Sequence, residues 1–167
     1  MRRWLWPIAL VMCLPALAGS QCDRWQALVD PSMPEPKGGS DQVLLDTNDA
    51  ASAEAAIACL LALDADERNA RFCGNTRGDA NWLAPGTCPI RVEALYYVSF
   101  IFTRDWGHAA GTALLGPDGV MNSEPAVQAA VAAYRKWFEE VRRIGIDEAR
   151  RRRMTPLAGA DVHWINN

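Results

Sequence analysis

Residues 123–145 read SEPAVQAAVAAYRKWFEEVRRIG, and this stretch decides the fold class. Ser123 offers a side-chain oxygen to the orphan amides of a helix start, and Glu124 suits the positive end of its dipole. Pro125 falls in the first turn, where a missing N–H costs little. Val127, Ala130, Val131, Tyr134, Trp137, Phe138, Val141 and Ile144 then recur at helical spacing and make one continuous apolar face. Gly145 ends the helix, and Ile146 is placed to fold back onto Val141 in a Schellman turn. Such a stripe needs other elements to cover it, so the rest of the chain is read for partners.

Toward the C-terminus, Asp147 is expected to cap a short arginine-rich helix reaching Arg153. The tail, Thr155 to Asn167, reads as irregular and carries Trp164. Toward the N-terminus, Gly116-Pro117-Asp118-Gly119 is a turn signal that closes a short helix predicted from Asp105 to Leu115. Residues 91–103 hold Val92, Leu95, Tyr96, Tyr97, Val98, Phe100, Ile101 and Phe102, apolar almost all round. Tyr, Val, Phe and Ile favour strands, but the run exceeds strand length and no second strand is apparent, so a central buried helix is preferred. Pro89 suits its first turn.

Asp49 is the expected N-cap of a helix that places Ala53, Ala56, Ile57, Leu60 and Leu61 on one face. Asp64, with Glu67 three residues on, reads as a second capping box. It would start a short helix with Asp64–Arg68 and Glu67–Arg71 pairs, ended by Gly74. Residues 31–41, with three prolines and two glycines, read as a linker. Residues 23–30 suit a helical turn with Trp25 and Leu28 inward. The fold class is therefore all-α: a compact bundle of about five helices, compatible with HEAT-like hairpins.

The chain opens with Met1-Arg2-Arg3 and an apolar run from Trp4 to Ala18, closed by Ala16-Leu17-Ala18. This is the layout of a cleavable signal peptide. The run is too short for a membrane span, which needs ~20 apolar residues, and Pro7 and Pro15 interrupt it. Lipidation of Cys22 is the alternative, but Gln21 is large beside such a site. The expected organisation is a signal peptide at 1–18, an N-terminal extension and linker at 19–48, and a helical domain at 49–167. The expected location is the periplasm, with an extracellular location as the alternative.

Cys13 leaves with the leader, and Cys22, Cys59, Cys73 and Cys88 remain. Four cysteines in an exported chain imply two disulfides, of which Cys22–Cys59 and Cys73–Cys88 are favoured among three connectivities. Loss of Arg2 and Arg3 takes the net charge from −3 to −5, which argues against nucleic acid as a partner. From Asp30 to Glu67 nine acids face a single base, Lys37, whereas Arg135 to Arg153 holds eight bases and four acids. Two solvated faces explain this. A dipolar molecule whose acidic half steers toward a basic partner is the sharper reading.

Catalytic motifs are sparse, and no cofactor or metal is called for. Asp105 and His108 share a helix face, which leaves a periplasmic hydrolase as an alternative, but no nucleophile stands out. Glu54, Glu93 and Glu124 are better explained as first-turn acids than as glycosidase carboxylates. Arg150 to Arg153 could contact lipid headgroups in an envelope-associated structural protein, although a solvated helix face is the plainer reading. The loop between Cys73 and Cys88 is polar, stapled and centred on an aromatic. It holds Asn75, Arg77, Asp79, Asn81 and Trp82, and together with Asp105, Trp106 and His108 it is the expected partner surface.

The Leu95-Tyr96-Tyr97 helix followed by Trp106 and His108, the long amphipathic helix ending at Gly145, and two disulfides in a small acidic exported domain resemble a known layout. It is that of the periplasmic immunity proteins that neutralise type VI secretion amidase effectors. The resemblance implies a non-catalytic plug that covers the active-site cleft of a secreted cell-wall hydrolase. It assigns no individual binding residue and leaves a homodimer open.

Overall fold

The computed structural model describes residues 22–38, 41–42, 45–71, 88–104 and 113–165. Within them the chain is mostly helical. Helix α1 (Ala50–Leu61) starts where expected, with the Asp49 carboxylate accepting from the Ser52 amide at 2.8 Å. It buries Ala53, Ala56, Ile57, Cys59, Leu60 and Leu61. Glu54 lies past its first turn, so the dipole explanation given for that residue does not apply.

Helix α2 (Ile90–Thr103) is the central element. Pro89 stands one position before it as the N-cap, and Val92 through Val98 are all buried. Its sequence favours strands, yet burial on every side requires the backbone to satisfy its own amides, and a helix does this within one segment. α1, helix α3 (Glu124–Ile144) and helix α4 (Ile146–Arg151) all pack against it. α3 has the predicted cap and face: Ser123 accepts from the Ala126 amide, and Val127, Ala130, Tyr134, Trp137, Phe138 and Val141 are buried. Val131 and Ile144 sit half-buried at the margin of that face.

Four expectations are corrected. First, no helix runs from Asp64 into Arg71. Asp66 instead accepts from the Arg68 amide at 3.0 Å, a local side-chain bond that competes with helix formation. Arg68 pairs with Asp30 and Asp66, Glu67 with Arg91, and Asp64 with Arg135 of α3. Second, Gly145 is not a Schellman residue. At φ 89° and ψ 144° it both ends α3 and serves as the N-cap of α4, so Asp147 falls in the first turn. That backbone region is almost closed to side-chain-bearing residues, which is why glycine stands there.

Third, the bundle is not purely helical. Strand β1 (Leu114–Leu115) pairs antiparallel with strand β2 (His163–Trp164), with Leu114 opposite Trp164. The tail is therefore structured where it was expected to be irregular, and Leu114 and Leu115 are strand, not helix. Fourth, helices of 12, 14, 21 and 6 residues with a ladder between them give no support to HEAT-like repetition among the described residues.

Trp164 belongs to the core. It is buried, meets Tyr96 edge-on with centroids 6.3 Å apart, and donates its indole N–H to the Tyr134 hydroxyl at 2.9 Å. Ser99 of α2 shares that hydroxyl. The chain Ser99–Tyr134–Trp164 thus links α2, α3 and β2 inside the core. Burial pushes the Tyr134 hydroxyl up to about 12, against the opposing effect of its two partners.

The segment expected to be a loose extension is also built in. Trp25, Leu28 and Val29 join the core, and Cys22 is bonded to Cys59 of α1 with Cα atoms 5.2 Å apart. This is the single disulfide among the described residues. Cys88 is buried, and Cys73, its expected partner, lies outside the described residues. Arg71 reaches back to the carbonyls of Ala27, Asp30 and Met33, holding the same segment by its backbone.

The Asp30–Arg68–Asp66 cluster makes this anchoring dependent on pH. Burial raises the Asp30 pKa, but hydrogen bonds from Ser32 and Arg68 outweigh it and the net shift is downward. Asp66 is lowered chiefly by its hydrogen bond from Arg68. A carboxylate with a depressed folded pKa contributes stability that is complete above its unfolded value, about 3.9, and is lost as pH falls through the folded one. Urea midpoints should therefore fall more steeply in the wild type than in Arg68→Ala between about pH 5 and pH 2. Parallel pH dependences would show that the cluster contributes nothing to the linkage.

Candidate functional site

The C-terminal end of α2 opens into a groove of about 360 Å³. Phe100 and Ile101, both buried, form its floor together with Thr47. Leu45 lines one side and is 57% exposed, the most solvent-accessible large apolar side chain among those described, together with Val120. Asp41, Asn48 and Arg104 supply the polar rim.

Arg104 is placed by the way α2 stops. It takes the left-handed conformation, φ 59° and ψ 25°, and donates its amide to the Phe100 carbonyl at 2.8 Å. This turn swings its side chain toward the 41–48 segment, where the guanidinium donates to the backbone carbonyl and side-chain oxygen of Asn48. Two of its five N–H donors are occupied in this way. Asp41 is exposed and makes no hydrogen bond or ion pair with the described residues.

A second cation stands close by. Arg150 of α4 donates to the carbonyls of Ile101 and Phe102, both at 3.0 Å, and so satisfies two of the orphan acceptors of α2. Burial lowers the Arg150 pKa, and the charge of Arg104 lowers it further. Its own carboxylate neighbour, Asp147, stands at 3.4 Å and is largely exposed. The two guanidiniums therefore repel one another.

No family model, curated protein or solved structure matches the chain. The site must be read from its own geometry.

Asn75, Arg77, Asp79, Asn81 and Trp82 all lie outside the described residues, as do Asp105, Trp106 and His108. The predicted partner surface and the proposed Asp105/His108 pair are thus not placed by the structure. The groove residues were not singled out from sequence. In the sequence Asp41 ends the 31–41 linker, and nothing along the chain marks it as a neighbour of Arg104.

Asp64–Arg135 and Glu54–Arg142 join the acidic segment to α3, so part of the apparent dipole is consumed within the fold. The arginine run is also largely engaged: Arg150 caps α2, and Arg151 and Arg152 both pair with Glu148. No helix among the described residues is long and apolar enough to cross a membrane.

Proposed function

We propose that this chain is an exported, non-catalytic binding protein. Most concretely, it is an immunity protein that blocks a secreted cell-wall hydrolase of the type VI amidase effector class. The observation that carries this reading is the Cys22–Cys59 disulfide. It follows the predicted leader by a few residues and fits an oxidising compartment, where small exported domains use such bonds. Tying the N-terminal segment to α1 also pre-orders that segment, and a preorganised binder loses less entropy on docking. The internal engagement of Arg150, Arg151 and Arg152 weighs against the alternative of a lipid-contacting envelope component.

The test is a capture experiment with the oxidised mature chain, residues 19–167, mixed with the products of its neighbouring genes. The expected result is one stoichiometric partner, a secreted hydrolase whose activity on peptidoglycan is abolished in the complex. A folded, oxidised protein that captures no hydrolase, or one that leaves its captured partner fully active, overturns the reading.

A further inference from the structure

We propose that the groove at the end of α2 binds a small zwitterionic ligand with an apolar side chain, of the class of a free dipeptide, with its carboxylate on Arg104 and its ammonium toward Asp41. A volume of about 360 Å³ lies within the range of small-molecule sites, roughly 300–1,000 Å³. It is large enough for two residues.

Each part of the ligand class follows from a side chain already placed. Arg104 spends two donors on Asn48 and keeps the rest of its fork for a carboxylate, which it would grip by charge-assisted bonds. A carboxylate on Arg104 would also relieve the repulsion that Arg104 and Arg150 exert on one another. The helix end itself does not attract an anion, since α2 presents its negative pole there. Arg150 offsets that pole by occupying the carbonyls of Ile101 and Phe102.

Asp41 stands on the same rim with no cation paired to it among the described residues, which complements an ammonium. Between the charges lie Leu45, Phe100 and Ile101. Covering Leu45 with an apolar side chain would remove from water a group that the fold leaves 57% exposed. A ligand that is only an anion leaves Asp41 unmatched, and one that is only apolar leaves both rim charges to be desolvated without partners. Such a site would operate whether or not the chain blocks a hydrolase, so its failure and the failure of the immunity reading are separate results.

The probe is leucyl-leucine, titrated into the oxidised mature chain by calorimetry, with N-acetyl-leucyl-leucine amide as the blocked control. Saturable binding of the free dipeptide and none of the blocked one is expected. Arg104→Asn keeps a residue tolerant of left-handed geometry and should weaken binding about tenfold or more. Asp41→Asn should weaken it about threefold or more, as loss of an exposed ion pair would. Thermal melts of both variants should match the wild type and so exclude misfolding. No saturation up to about 10 mM dipeptide, equal binding of the blocked peptide, or undiminished binding by a folded Arg104→Asn variant would each overturn the proposal.

Discussion

The double variant Cys22→Ala/Cys59→Ala is expected to lose about 4 kcal/mol of unfolding free energy, the loop-entropy value for a separation of 37 residues. Cys59 lies on the buried face of α1, and the segment it holds contributes Trp25, Leu28 and Val29 to the core. Opening the bond therefore releases both a chain constraint and the residues that depend on it for their placement. A domain of this size has roughly 5–15 kcal/mol in total, so the variant should be marginal at physiological temperature. Urea denaturation of the oxidised wild type and the variant measures the difference. A loss under about 1 kcal/mol would mean that Arg68 and Arg71 hold the segment without the covalent link.

Trp164→Ala should be nearly as costly, about 3–5 kcal/mol, because it empties a buried indole site between Tyr96 and Tyr134. The ladder register sets Trp164 opposite Leu114, so the variant also removes a cross-strand side-chain contact between the tail and β1. Trp164→Phe separates the contributions. It keeps one aromatic ring in the site but loses the bond to the Tyr134 hydroxyl and part of the indole volume, for about 1–3 kcal/mol, since Ser99 still satisfies that oxygen. If the alanine variant costs no more than the phenylalanine one, the tail is not part of the cooperative core.

The sequence was most readable where local chemistry and long-range packing agree. Ser123, Pro125 and Gly145 mark the ends of α3, and its apolar period continues without a break between them. Asp49 does the same for α1. The pairing of Cys22 with Cys59 was also recoverable, since a cysteine on the buried edge of a helix is a natural anchor for a preceding segment. Reading failed where a distant partner outcompeted a local rule. Asp64, Glu67, Arg68 and Arg71 have helical spacing, but Asp30, Arg91, Arg135 and the carbonyls of the 27–33 turn take those side chains first. A two-residue ladder is too short to show alternation, so β1 and β2 carried no periodic signal. The groove was hidden for a different reason: Asp41, Leu45 and Arg104 become neighbours only after α1 and α2 have packed.

The covalent link has a consequence for biogenesis. Past the predicted leader, Cys22 and Cys59 are the first two thiols that any N-to-C delivery presents to an oxidant. The native bond therefore joins consecutive cysteines, and vectorial oxidation arrives at it as its first product. Shuffling between thiols, which runs through mixed disulfides and takes seconds to hours, is not needed to reach this pairing. A host that supplies only an oxidase, with no isomerase, should suffice to form it.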